Sequence, residues 1–350
     1  MKVAIVGAGI CGSSAARYVA IKGHDVALFE QFELGHDLGS SHGNSRIVRK
    51  AYPDPFYTQC MTEAYPLWAE LERHADQRLL NEVGLFYFGK SDSPRVLDVA
   101  NGLTEVGVPF QTLDAMQAAD LLPGLKLDSD EICIYTPEAG WVDARGAIQA
   151  NLRVLRSLGA VILTDYPIHW EQLENDFDAF VVCPGPWIRQ FVNVPVQTTL
   201  QTFAYVGSEQ PQEGPVWIED GPLGMYGFPT EPDRIDFKIG VHELGRDVGL
   251  SDLDRTPAIH HAAFIKDLAQ QRFGIQDAEL RLVKGCVYTS TINEDFLLGR
   301  IGERGFFASA CSGHGFKFGP WIGKLLASFV EGDDGPENHP RFFWDASILA

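Results

Sequence analysis

No two of the six cysteines (Cys11, Cys60, Cys133, Cys183, Cys286 and Cys311) are spaced as CxxC, and their intervals follow no pattern. This argues against a zinc site or a disulfide framework, so no metal is expected and a reducing cytoplasm fits best. No apolar run is long enough to span a bilayer. The opening MKVAIVGAG runs straight into a strand-and-turn pattern without signal-peptide organisation, and the final SILA is not an SKL-type address. Positive charge is scarce: 28 Lys and Arg stand against 47 Asp and Glu, a net charge of −19. A nucleic acid or an anionic membrane is therefore not an expected partner. A small substrate responds only to the charge lining its own pocket. Internal repeats and low-complexity linkers are absent too.

What is present is a chain of 350 residues, 45% hydrophobic and 21% charged, with 35 Gly and 20 Pro. That length suggests about two domains, and the glycine and proline content suits a loop-rich α/β protein better than a helical bundle. The most informative window is VAIVGAGICGSSAARYVAIKGHDVALFEQ. An apolar strand at 3–6 precedes Gly7-Ala8-Gly9-Ile10-Cys11-Gly12, a helix follows to about Lys22, and a second strand at 26–29 ends in Glu30. Gly7 permits the tight turn, Gly9 lets backbone approach a pyrophosphate, and Gly12 allows close helix–strand packing. The helix N-terminus faces phosphates and Glu30 accepts from ribose hydroxyls. With strand, helix, second strand and acid in order, the signal is strong for a dinucleotide. It leaves NAD and FAD both open.

GSSHGNSRIVRKAY (39–52) is rich in Gly, Ser and Asn and then reads as helical, which puts Arg46 and Arg49 on one face of a turn. Such a pair is either a solvated basic turn or an anion-handling pair, since guanidinium forks suit carboxylates and phosphates. Helices are expected over about 53–72 and 143–158 and near 257–273, with strands at 84–89 and 179–183. In FKIGVHE (237–243), strand alternation gives Lys238, Gly240 and His242 one face and Phe237, Ile239 and Val241 the other. The same arithmetic puts Cys286, Tyr288 and Ser290 together. CSGHGFKFGPWIGKLLASF (311–329) reads as a glycine-broken turn entering an amphipathic helix. Gly313 and Gly315 suit backbone approach to a ligand, and Lys317 sits in a first helical turn that the helix dipole disfavours.

Six stretches together, VGAGICGSSAA, GSSHGNSRIVRKAY, MYGFP, FKIGVH, GCVYTST and SGHGFKF, resemble the monomeric sarcosine oxidase and N-methyltryptophan oxidase family. The similarity keeps the same order from end to end. It implies an α/β (mixed α+β) fold, with a Rossmann-like FAD-binding domain of the glutathione-reductase type interleaved with a substrate domain on a large mixed sheet. It implies flavin-dependent oxidation of a secondary-amine amino acid, of sarcosine, N-methyl or cyclic type, to an imine, with O2 reduced to H2O2. By the same resemblance Cys286 carries FAD through a thioether, Arg49 and Lys317 hold the substrate carboxylate, and Lys238 promotes reaction with O2. Arg46, Tyr226, His242 and Tyr288 match other residues around the substrate and the flavin ring. Ser45 stands where sarcosine oxidase has threonine, and TINEDF (291–296) has Asn293 in place of an acid.

The FAD-binding domain is expected over 1–80, 143–200 and 290–350 and the substrate domain over 81–142 and 201–289. The cofactor set is Gly7, Gly9, Gly12, Glu30, Ser45, Cys286, Gly313, Gly315 and Lys317. The protein is expected to work as a monomer on a small amino acid and O2. A flavin dehydrogenase passing electrons to a carrier, and a non-catalytic flavin-carrying subunit, are the alternatives.

Overall fold

The computed structural model describes residues 1–345 apart from 209, 210, 233 and 244. Its first sheet has six strands, in the order Leu297–Ile301, Gly305–Ser309, Ala179–Val182, Lys2–Val6, Asp25–Phe29 and Val161–Leu163. The strand at the Leu297 edge runs antiparallel to its neighbour and the others are parallel. Ala179–Val182 is buried throughout, as expected of a parallel strand covered on both faces. Along Lys2–Val6 the side chains alternate between two cores. Val3 and Ile5 pack with Ala15, Ala16, Leu152 and Leu326, whereas Ala4 and Val6 pack with Leu173, Phe180 and Ile188.

The first of these cores lies beneath three helices, Ile10–Ile21, Ala144–Ser157 and Gly319–Glu331. The first and third approach closely because the residues between them are small. A Cβ on Gly323 would lie 2.5 Å from the Ser14 Cβ.

The second sheet has nine strands. In order they are Arg246–Asp247, Gln197–Val206, Phe237–Val241, Met225–Thr230, Val216–Glu219, Leu85–Lys90, Glu131–Thr136 and Gln111–Leu113, with Leu280–Ser290 paired along Gln197–Val206. It is mixed: Val216–Glu219 and Leu85–Lys90 are parallel, the other pairs antiparallel. Phe237, Ile239 and Val241 pack under the helix Ile259–Phe273 with Ile265 and Leu268. The alternation read from FKIGVHE thus holds, and Lys238 looks the other way.

Two local readings are corrected. Residues Ser45–Val48 form a strand, not a helical turn, and pair with Gly140–Asp143 from Ser45↔Asp143 to Val48↔Gly140. The β-branched Ile47 and Val48 favour that ladder. Arg46 therefore lies within a strand and Arg49 just beyond its end. Likewise Lys317 is in a 3-10 turn, Gly315–Phe318, that precedes the helix Gly319–Glu331. Among the described residues no helix is long and apolar enough to cross a membrane.

Candidate active site

A cavity of about 1170 Å³ runs between the two large sheets, from the glycine turn after the first strand to the face of Lys238, Cys286 and Lys317. At the first end Gly7 has φ +94, and a Cβ there would lie 2.3 Å from the Cys183 carbonyl oxygen. On Gly12 a Cβ would meet the Gly7 carbonyl oxygen at 1.9 Å. Gly7 and Gly12 are thus required by the turn itself. Gly9 has an ordinary φ of −65 and caps the helix with no side-chain hydrogen bond, which leaves the helix N-terminus open toward the cavity. Gly7 and Gly9 line it and Gly12 lies behind them.

Glu30, at the end of the second strand, accepts from the Ala8 N–H at 2.9 Å and the Phe32 N–H at 3.1 Å, with His36 Nε2 at 3.4 Å. Burial opposes its charge, yet these partners outweigh it and hold the carboxyl below the usual range. A negative carboxylate therefore stands beside an anion-binding helix end, the arrangement a ribose-and-pyrophosphate group requires.

On the middle wall, Cys286 lies in the Leu280–Ser290 strand with Tyr288 on the same face; both are buried. Its Sγ is 3.7 Å from Arg46 Nη2. Burial pushes the thiol up, and the guanidinium pulls against it. Arg46 is held by the carbonyls of Ser40, His42 and Ser45, at 2.9, 2.5 and 2.9 Å. Next to it Lys238, 2% exposed, donates to the Ser45 carbonyl at 3.0 Å and lies between the rings of Phe203 and Phe228, at 4.7 and 4.6 Å. Burial first, and then the Arg46 charge, lower its pKa to about 7. Ser45 itself is fully buried behind Lys238 and is not on the cavity wall.

At the far end Arg49 and Lys317 share Tyr52: the Arg49 guanidinium lies 3.8 Å from the ring centroid and Lys317 Nζ donates to the hydroxyl at 3.1 Å. Lys317 also donates to the His314 carbonyl at 2.7 Å, and Trp68, from the helix Pro55–Ala75, donates to the Lys317 carbonyl at 2.8 Å. Neither cation has an ion-pair partner among the described residues, and Arg49 Nη1 is enclosed without any hydrogen-bond partner. Burial, then Arg49, drive the Lys317 pKa well down. An anion between them would offset both effects and favour the charged form of Lys317.

Glycines bring aromatic rings over this end. On Gly240 a Cβ would overlap the Tyr226 ring at 2.2 Å, and on Gly313, φ +71, it would meet Tyr288 at 2.5 Å and His242 at 2.6 Å. His242 Nε2 lies 3.5 Å from Glu294 Oε1. A Cβ on Gly315 would lie 1.8 Å from the Ala310 carbonyl oxygen, so Gly315 is fixed by the turn. Arg46, Arg49, Tyr226, Lys238, His242, Cys286, Tyr288, Gly313, Gly315 and Lys317 all line the cavity.

Sequence reasoning misses Tyr52, Glu231, Glu294 and His314. Tyr52 and His314 fall inside GSSHGNSRIVRKAY and SGHGFKF, but nothing in their spacing distinguishes them from packing residues. Glu231 has no motif signal at all.

The chain matches the family described as FAD dependent oxidoreductase over residues 2–329. It is 29% identical to monomeric sarcosine oxidase of Streptomyces avermitilis, covering 99% of this chain and 97% of that one. Among solved structures it is similar to NikD, an amino acid oxidase essential for nikkomycin biosynthesis, with TM-score 0.84, 19% identity and coverage of 99% and 98%. It is also similar to L-proline dehydrogenase from P. horikoshii, with TM-score 0.82, 18% identity and coverage of 95% and 94%. Because that family match spans nearly the whole chain, the chain belongs to the FAD dependent oxidoreductase family.

Proposed function

We propose that the protein oxidises the CH–NH bond of a small secondary-amine amino acid to an imine and passes the two electrons to O2, releasing H2O2. The observation that carries this reading is the Arg49 and Lys317 pair, which has no ion-pair partner among the described residues and lines the same cavity as the glycine turn. FAD, when bound, supplies the two-electron acceptor for the amine and the donor to O2. Arg49 and Lys317 hold the carboxylate and so fix which C–H faces the acceptor, a positioning effect. Tyr226, His242 and Tyr288 enclose the amine end and exclude water. An ammonium has no lone pair to assist hydride departure, so the amine sheds its proton before oxidation, and the two nearby cations favour that loss.

Lys238 places positive charge where O2 takes its first electron. We further propose that Cys286 forms a thioether with the flavin 8α-methyl, the thiol proton and one methyl hydrogen leaving with two electrons that O2 accepts. Arg46, 3.7 Å from the sulfur, pulls against the rise that burial gives the thiol and so eases loss of its proton. The domain division 1–80, 143–200 and 290–350 against 81–142 and 201–289 is also proposed, supported by the separation of the two large sheets. The test is peroxide release by purified protein on N-methylglycine, longer N-methyl amino acids and cyclic imino acids. Peroxide with at least one, and none with the matching amines lacking a carboxylate, is expected. Oxidation of amines and amino acids alike would overturn the carboxylate reading. Substrate-dependent reduction of an artificial acceptor without peroxide would identify a dehydrogenase.

A further inference from the structure

Behind Lys238 lies a polar network that the reaction as described does not use. Glu231 follows the strand Met225–Thr230 and is 4% exposed. Its carboxylate accepts from Asn44 Nδ2 at 3.0 Å, from the Ser45 hydroxyl at 2.5 Å, and from the Tyr205 hydroxyl at 2.9 Å to each oxygen. Three converging donors suit an ionised carboxylate, which only accepts. The Ser45 hydroxyl gives its proton to Glu231 and keeps its lone pairs for Lys238 Nζ, 3.4 Å away. We propose that Glu231 is a positioning residue and the counter-charge of Lys238, acting across Ser45 to hold the ammonium at the cavity wall.

Other groups around Lys238 do not supply that charge. Arg46 is cationic and opposes it. Burial keeps the His42 imidazole neutral, its pKa pushed down to about 3. Burial likewise raises the Cys286 thiol and the Tyr205, Tyr226 and Tyr288 phenols, so all four stay protonated at neutral pH. Glu231 alone among these groups carries negative charge, and its charge favours protonated Lys238. It acts from behind the wall, outside the space that the amino acid and flavin would occupy, since it does not line the cavity. Lys238 is therefore provided with a counter-charge without a carboxylate facing the substrate's own. Ser45 then has a defined place: a bridge between Glu231 and Lys238.

The functional meaning rests on Lys238 serving the O2 reaction; the interaction itself is tested without flavin or O2. In flavin-free protein carrying 13C-labelled lysine, with Lys238→Met to assign the signal, the Lys238 side chain is titrated by NMR. Glu231→Gln should lower its midpoint by about one pH unit, as removal of a nearby charge in a poorly solvated site requires. Glu231→Asp, which keeps the charge, should restore most of that shift. Ser45→Ala, which removes the bridge alone, should lower the midpoint by less. An unchanged midpoint in Glu231→Gln, or equal shifts in the Gln and Asp variants, overturns the proposal. If Glu231→Gln does not fold, Ser45→Ala decides: an unmoved midpoint rejects the bridge. In the flavin-loaded enzyme, the pH at which reoxidation slows should move with the midpoint. A shift seen by NMR but absent from that profile leaves the network in place and rejects the O2 role of Lys238 instead.

Discussion

Arg49 and Lys317 converge on one ring, Tyr52, and neither has a carboxylate partner among the described residues. Simple carboxylates lacking an oxidisable amine should therefore bind competitively and perturb the visible spectrum. Arg49→Ala or Lys317→Ala should weaken them by about 1.5–3 kcal/mol, the range of a charged hydrogen bond. Unchanged inhibition constants in both variants would remove the assignment. For Cys286, acid precipitation of wild-type protein should leave yellow colour in the pellet, whereas Cys286→Ala should release FAD or fail to retain it. Free FAD in the wild-type supernatant refutes the thioether. Lys238 also predicts a pH dependence of stability in flavin-free protein. Its pKa falls from 10.5 to about 7 on folding, so between those values the unfolded chain binds more protons. Stability from this group rises with pH across that window. Thermal unfolding of wild type and Lys238→Met should show the variant's relative advantage largest below pH of about 7 and shrinking above it. A constant difference across the range would mean that Lys238 is not buried as described.

Elements whose pattern is continuous are readable from the amino-acid order alone. The first strand, helix and second strand, the alternation in FKIGVHE and the long helices at 55–75, 144–157 and 259–273 form where periodicity puts them. The chemistry-bearing residues in those elements, Lys238 and Cys286, are legible with them. The short segments are not. Ser45–Val48 is a strand only because Gly140–Asp143 pairs with it, a non-local partner that helical spacing arithmetic does not contain. Glu231 and Glu294 escape notice for the same reason: Ser45 and His242, the groups they meet, lie far from them along the chain. Packing between elements makes its own prediction. The helix Gly319–Glu331 crosses Ile10–Ile21 at Gly323, where a Cβ would lie 2.5 Å from the Ser14 side chain and 2.6 Å from its backbone. Gly323→Val should cost about 1–3 kcal/mol or more by overpacking, read as a lower denaturation midpoint. A neutral result would mean that the two helices are farther apart.

At the scale of the whole molecule, charge is distributed unevenly. The chain carries −19, yet Arg46, Arg49, Lys238 and Lys317 all face one cavity. The net negative charge of the chain does not set the charge of the cavity, and on the function proposed above the cavity would take phosphates at the glycine turn and a carboxylate beside Tyr52. Both large sheets contribute, so neither half of the chain holds the site alone. The proposed function requires that a carboxylate-bearing amine is oxidised in that cavity and that O2 completes the cycle. The most direct measurement mixes the purified flavoprotein with N-methylglycine and with cyclic imino acids under anaerobic conditions, follows the flavin absorbance, then admits O2 and measures peroxide. At least one of these substrates should bleach the flavin, and O2 should restore the colour with one peroxide for each flavin reoxidised. No bleaching with any of them, or bleaching that O2 does not reverse, would contradict it.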